Sequence, residues 1–106
     1  MVRVYIASPY SIGDKEKNVR RQMEAFVILQ RKGFLPHAPL LYHFINKEYP
    51  LPESEWLELD FEILKHCDCL IRLPGESVYG DVEVERMKAL EKPVFFDFDS
   101  LYNAYL

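Results

Sequence analysis

The sequence predicts one α/β domain: a three-layer sandwich with a parallel sheet of four to five strands, order 2-1-3-4, between two layers of helices. Short β-branched and aromatic runs alternate with amphipathic segments, and parallel neighbours need such crossovers, which are right-handed. The length of 106 residues leaves room for a single core, so one domain spans residues 1–106. Ligands in such folds sit beyond the carboxyl ends of the strands where the winding reverses, here between strands one and three. That directs attention to Ser8 to Ser11 and to Pro74 to Asp81.

Each element has a local reason. Residues 2–7 (VRVYIA) form strand one, which stops at Ser8-Pro9 because proline cannot continue a central ladder. From Asp14 to Lys32, Val19, Met23, Phe26, Val27 and Leu29 recur at helical spacing. Arg31, Lys32 and then Gly33 mark the C-terminus of that helix. Phe34 and Leu35 begin a short second strand, cut at Pro36 and Pro39. Leu40 to Pro52 then reads as a long irregular loop, of the kind that often carries function. A second helix covers Glu53 to His66, and a third strand Cys69 to Leu73 ends at Pro74-Gly75. A third helix runs from about Gly80 to Leu90. The strand Val94 to Asp97 and a helical tail from Asp99 complete the chain.

Composition narrows the function. Hydrophobic residues make up 49%, charged residues 28%, and only four glycines occur, which excludes a disordered or low-complexity chain. Thirteen Lys and Arg against 17 Asp and Glu give a net charge of -4. This is no footprint for polymeric nucleic acid or an anionic membrane. No signal peptide or spanning segment is visible, so the expected location is cytoplasmic. Cys67 and Cys69, two residues apart, would face opposite ways on a strand and form no disulfide. With His66 they lack the second ligand pair of a zinc site, so neither a metal nor another cofactor is expected. A domain this small has a shallow crevice, and the apolar ending LYNAYL would be poorly covered alone. Both features predict a homodimer or higher homo-oligomer.

Some polar residues break the apolar pattern. On the second helix Trp56, Leu57, Leu59, Phe61, Ile63, Leu64 and Cys67 form one sector, and Asp60 falls near its middle. An unpaired carboxylate there costs several kcal/mol, so Asp60 is either a buried structural partner or a group facing a ligand. On the third helix Val82, Met87, Ala89 and Leu90 face inward. Glu83 lies between Met87 and Leu90, whereas Glu85 projects to one side; with Arg86 nearby, a surface Glu and Arg arrangement is the alternative. Gly75, Ser77 and Gly80 precede that helix, whose free amides suit an anion or a sugar hydroxyl. Neither a P-loop nor a dinucleotide fingerprint is present. Ser8 and Ser11 flank Pro9-Tyr10 and either cap the first helix or contact a ligand. His37 and His43 fall in the loop region without a hydrolase signature. Among Tyr5, Tyr10, Tyr42, Phe44, Tyr49 and Trp56, some could stack a planar base, although aromatic residues serve first as core or rim.

Three motifs, VYIASPYS (4–11), WLELD (56–60) followed by HCDCLIRLPG (66–75), and Ser77 through Glu83 and Glu85 to Lys92-Pro93-Val94, resemble the nucleoside 2-deoxyribosyltransferase superfamily. The likeness is greatest to its small DUF1937 and DUF4406 branch, over residues 2–97. The resemblance implies a flavodoxin-like, Rossmann-like fold and cleavage or transfer at the N-glycosidic bond of a 2′-deoxynucleoside or nucleotide, often at a site shared between subunits. Glu83, six residues after Ser77 and ten before Pro93, is similar to the family's nucleophile. Asp60 matches the sugar-holding aspartate, and Tyr5 the tyrosine of the first strand. Ser8, Pro9, Tyr10, Gly75, Ser77 and Gly80 are the candidate substrate-binding residues. Two positions depart from the pattern. Tyr79 stands where a glycine is usual, with Gly80 one residue late, and Met87 stands where a small residue is usual. Glu85 is therefore the competing nucleophile. A nucleoside monophosphate N-glycosidase and a non-catalytic nucleotide-binding module are the alternative functions.

Overall fold

The computed structural model describes all residues, 1–106. Four parallel strands pair in the order β2-β1-β3-β4. They are β1 (Arg3–Ala7), β2 (Leu35–His37), β3 (Cys69–Arg72) and β4 (Val94–Phe95). The helices are α1 (Lys15–Arg31), α2 (Tyr42–Glu48), α3 (Glu53–Leu64), α4 (Val78–Ala89) and α5 (Phe98–Tyr105). This is the predicted flavodoxin-like architecture.

Alternation along the strands divides the core into two layers. Val4, Ile6, Cys69 and Ile71 pack with Ala25 and Leu29 of α1 and Leu101 of α5. Tyr5, Ala7 and Leu70 point to the other face, against Leu64, Val84 and Met87 of α3 and α4. Truncating a fully buried side chain such as Leu29 or Leu64 to alanine costs about 2–5 kcal/mol. Tyr5 is thus a core residue by position, and its hydroxyl must find a partner inside.

The structure corrects several expectations. Met23 and Val27 of α1 are exposed; the inward stripe is Asn18, Val19, Gln22, Ala25 and Leu29. That register puts small Ala25 against the sheet and turns two polar residues inward, where backbone carbonyls satisfy them. Asn18 donates to Tyr10 and Ile12 carbonyls at 3.0 and 2.9 Å. The cap of α1 is Asp14, whose carboxylate accepts the Lys17 N–H at 3.1 Å, so neither Ser8 nor Ser11 caps it. Its C-terminus closes as a Schellman turn: Gly33 has φ +95°, and the Gly33 and Phe34 amides donate to Gln30 and Leu29 carbonyls. Pro36 lies inside β2, which tolerates it because β2 is an edge strand.

Leu40 to Pro52 is no irregular loop. A 3₁₀ turn, Pro39–Leu41, leads directly into α2. Seven residues cannot hold a helix by propensity, and α2 is tethered instead by His43 and Lys47, which both reach Glu16 of α1. On α3, Leu59 is exposed, outside the inward sector expected for it. On α4 the inward residues are Gly80, Glu83, Val84 and Met87, while Val82, Ala89 and Leu90 face solvent. That helix starts at Val78, because the Ser77 hydroxyl accepts the Gly80 N–H at 2.9 Å. Strand β4 stops at Phe95, and Asp97 turns to cap α5 by accepting the Ser100 N–H at 2.7 Å. The C-terminal tail is not bare: Leu101 is fully buried, and Tyr102 and Tyr105 pack on Phe34. No helix is long and apolar enough to cross a membrane.

Candidate active site

A cavity of about 400 Å³ opens at the carboxyl end of the sheet. The β1–α1 loop contributes Ser8, Tyr10 and Ser11; α2 contributes Tyr42, His43 and Asn46; α3 contributes Trp56, Leu57 and Asp60; and the start of α4 contributes Ser77, Tyr79 and Glu83. Its size suits a small organic ligand.

Glu83 sits nearly two helical turns past the Ser77 cap, on the inward stripe of α4, and is only 6% exposed. Tyr5, with no exposed surface, donates its hydroxyl proton to Glu83 Oε2. Desolvation is the main cause that pushes the Glu83 carboxyl up to about 8; the Tyr5 hydrogen bond opposes it, the Asp60 carboxylate adds to it, and Arg72 opposes it. Burial, followed by the Glu83 charge, holds the Tyr5 hydroxyl well above its ordinary value, so Tyr5 stays a donor. Asp60 faces the same cavity from α3. Its Oδ1 is buried without a hydrogen-bond partner, and burial pushes the carboxyl up to about 7. Two proton-hungry carboxyls and a fixed phenol therefore meet at one end of the pocket. Glu85 lies elsewhere: it is exposed, forms a 3.6 Å ion pair with Lys88, and does not line the cavity.

Pro9, Gly75 and Gly80 do not line the cavity but shape its rim. Gly75 adopts φ +118°, and a Cβ there would lie 2.7 Å from Pro9 Cγ, so the loops after β1 and β3 touch at this point. Gly80 lets α4 cross the Arg72 guanidinium, whose Nε would lie 3.0 Å from an added Cβ. Arg72 donates to the Leu73 carbonyl, to the Gly75 carbonyl at 2.7 Å and to Asp81 at 3.2 Å. The glycine that comes one residue late thus stands where helix and arginine meet.

The cavity carries a second polar network. The Tyr10 hydroxyl is hydrogen-bonded to His43 Nδ1, and His43 Nε2 lies 3.1 Å from Glu16 Oε1. Tyr42 and Trp56 stack with ring centroids 5.0 Å apart. Asn46 Oδ1 accepts from Trp56 Nε1 at 2.8 Å and from the Leu51 amide at 2.9 Å, which fixes the carboxamide. Gln22, 1% exposed, donates to the Ile6 carbonyl at 3.0 Å and to Ser8 Oγ at 2.8 Å, and its Oε1 accepts the Leu40 N–H at 2.8 Å. This one side chain ties α1, the end of β1 and the turn before α2. Gln22, Asn46, Glu16 and Arg72 are absent from the sequence reading. Only Gln22 carries a sequence signal, the spacing Asn18, Gln22, Ala25, Leu29, which marks an alternative buried face.

Comparison with known proteins places the chain. Residues 2–97 match the model of a domain of unknown function, DUF7768. The chain belongs to the DUF7768 family. The matching model is DUF7768 rather than the DUF1937 or DUF4406 branch that the motifs resemble. A search of curated proteins finds no match. Among solved structures, the DUF7768 domain is similar to the CMP N-glycosidase BcmB of Clostridium botulinum, with TM-score 0.58 and 21% identity over 87% of this chain. It is also similar to a 2-desoxiribosyltransferase from Leishmania mexicana, with TM-score 0.66 and 15% identity over 89% of this chain. It spans 65% and 62% of those two chains. At these identities the likeness shows the fold, which is nucleoside 2-deoxyribosyltransferase-like.

Proposed function

We propose that this DUF7768 domain cleaves or transfers at the N-glycosidic bond of a 2′-deoxynucleoside or nucleotide, with Glu83 as nucleophile. The observation that carries the reading is the buried Glu83 carboxyl at a ligand-sized cavity, oriented by Tyr5 and accompanied by Asp60. The names of the two structural neighbours, an N-glycosidase and a deoxyribosyltransferase, support the same class of bond.

The chemistry follows from charge development. As the C1′–N bond lengthens, positive charge grows on the sugar, and a carboxylate on the opposite face stabilises and then captures C1′ as an ester. Tyr5 holds Glu83 in the attack direction, and the unpartnered Asp60 oxygen accepts a sugar hydroxyl, so that binding sets the approach of C1′. Water then releases the sugar, or a second base accepts it. The Tyr42 and Trp56 pair supplies an aromatic surface for a base. Ser8 and Ser77 line the same cavity and are the candidate sugar contacts. No metal or organic cofactor enters this reading, and it includes a homo-oligomeric, cytoplasmic enzyme acting on small molecules.

A 5′-phosphorylated substrate is the second reading. Lys15 lines the same cavity, and one neighbour is named for CMP. Incubation with paired nucleosides and nucleoside monophosphates, followed by product analysis, separates the two by release of deoxyribose or deoxyribose 5-phosphate. The nucleophile is tested by quenching the enzyme with a 2-fluorinated deoxynucleoside analogue. One added sugar mass on the peptide holding Glu83 is expected, and Glu83→Ala abolishes it. Full activity in Glu83→Ala overturns the reading.

A further inference from the structure

Tyr10, His43 and Glu16 form a continuous hydrogen-bonded chain from the cavity wall to the surface, on three separate elements. Tyr10 and His43 line the cavity, His43 is 7% exposed, and Glu16 lies open to solvent on the first turn of α1. A buried histidine with both ring nitrogens bonded, one towards a ligand space and one towards an exposed carboxylate, is built to pass protons. Neither Glu83 nor Asp60 belongs to this chain, and the bond-breaking step described above leaves the departing base without a proton donor.

We propose that Tyr10, backed by His43 and Glu16, is the general acid that protonates the leaving base. The inference rests on the N-glycosidic reading of the site. In the step, the C1′–N bond breaks and its electron pair stays on the base, while a Glu83 carboxylate oxygen bonds to C1′. A ring nitrogen or carbonyl oxygen of the base takes the Tyr10 hydroxyl proton. Tyr10 is reprotonated from Nδ1 of a His43 imidazolium, whose Nε2–H stays on the Glu16 carboxylate. Neutral base, neutral histidine, neutral tyrosine and the sugar ester remain, so charge and protons balance. In the transfer direction the same atoms return the proton.

The surroundings fit this direction of flow. Burial, then the Glu16 charge, raises the Tyr10 hydroxyl above its ordinary value, with Lys47 opposing, so Tyr10 keeps its proton until the base demands it. Lys47 and then His43 hold the exposed Glu16 carboxyl below its ordinary range, so Glu16 is a carboxylate able to support an imidazolium. Lys15 Nζ lies 5.5 Å from the Tyr10 ring centroid and is the other charge facing this chain.

The test compares two leaving groups in the full chain. Unmodified purine and pyrimidine 2′-deoxynucleosides need a proton on the base; 7-methyl-2′-deoxyguanosine carries a cationic base that departs neutral without one. Tyr10→Phe and His43→Gln are expected to lower kcat/KM on the best unmodified substrate by about 10²–10³-fold and on the methylated one by less than about threefold. Glu16→Gln, on the surface, is expected to give a smaller loss with the same asymmetry, and thermal melts verify folding. Equal losses on both substrates, or no loss on either, overturn the acid chain and leave the glycosidic reading standing. A wild-type chain that cleaves neither overturns both.

Discussion

The phenol of Tyr5 in the central strand donates a hydrogen bond to Glu83 Oε2 on α4, a residue 78 positions later in the chain. A strand residue whose ring belongs to the core thereby fixes the carboxyl that faces the cavity. Tyr5→Phe keeps the packing and removes the donor. Loss of a charge-assisted bond of about 1.5–3 kcal/mol corresponds to a fall in kcat/KM of about 10–100-fold. Because that bond lowers the Glu83 value, the alkaline inflection of the rate profile is expected to move up in Tyr5→Phe, as steady-state assays across pH would show.

The pH dependence of wild-type activity follows from the same carboxyl. Attack requires the ionised form, and the free protein holds Glu83 at about 8. The ratio kcat/KM is expected to rise from pH 6 towards pH 8, since it reports groups of the free enzyme. A profile flat from pH 5 to 8 would show that Glu83 ionisation does not limit the step.

Stability is expected to run the opposite way. Between its ordinary value of 4.5 and about 8, Glu83 holds a proton in the folded chain and lacks one in the unfolded chain. The folded state binds more protons across that window, so this contribution is complete below pH 4.5 and is lost as pH rises through 8. Glu83→Gln cannot ionise and is expected to melt at least about 5 °C above wild type at pH 8, with the gap closing towards pH 5. Differential scanning calorimetry at four pH values measures it.

Asp60→Asn separates ligand contact from structure. The buried Oδ1 has no protein partner to lose, so the melting temperature at pH 8 is expected to hold or rise while turnover falls by at least about tenfold. A large drop in melting temperature with activity retained would assign Asp60 to the scaffold.

Gly75→Ala tests the contact between the two loops at the rim. The position combines φ +118° with a Cβ site 2.7 Å from Pro9 Cγ. Backbone strain of about 1–3 kcal/mol predicts a melting temperature lower by about 5–15 °C. Gly13→Ala, also at positive φ but with nothing within 4 Å, is expected to lose less.

The sheet was legible because its strands are short, apolar and separated by crossover-length segments, and the order 2-1-3-4 is what those crossovers permit. Glu83 stood out because a carboxylate within an apolar stripe has few structural uses; the sequence set it between Met87 and Leu90, of which only Met87 is buried. The helix α2 was not legible. Nothing in YHFINKE distinguishes a helix from a loop until Glu16, 31 residues from Lys47, supplies the tether. The buried face of α1 was misread for a related reason: Met23 and Val27 are the more hydrophobic choice, but Gln22 satisfies backbone and side-chain groups of three segments at once. Leu59 and Val82 show the same limit, since apolar character alone does not bury a residue on a helix that covers only one side of a sheet.

The parallel crossovers also set when the pocket comes into existence. Tyr5 emerges before all of its partners, for its strand pairs with residues 35–37 and 69–72 and its phenol waits for residue 83. No hairpin or local fragment brings these together, and non-local pairings of this kind form late and slowly. A nascent chain halted before α4 therefore carries a central strand whose phenol lacks both its α4 cover and its carboxyl partner. The pocket is complete only once the whole sheet has closed around the phenol.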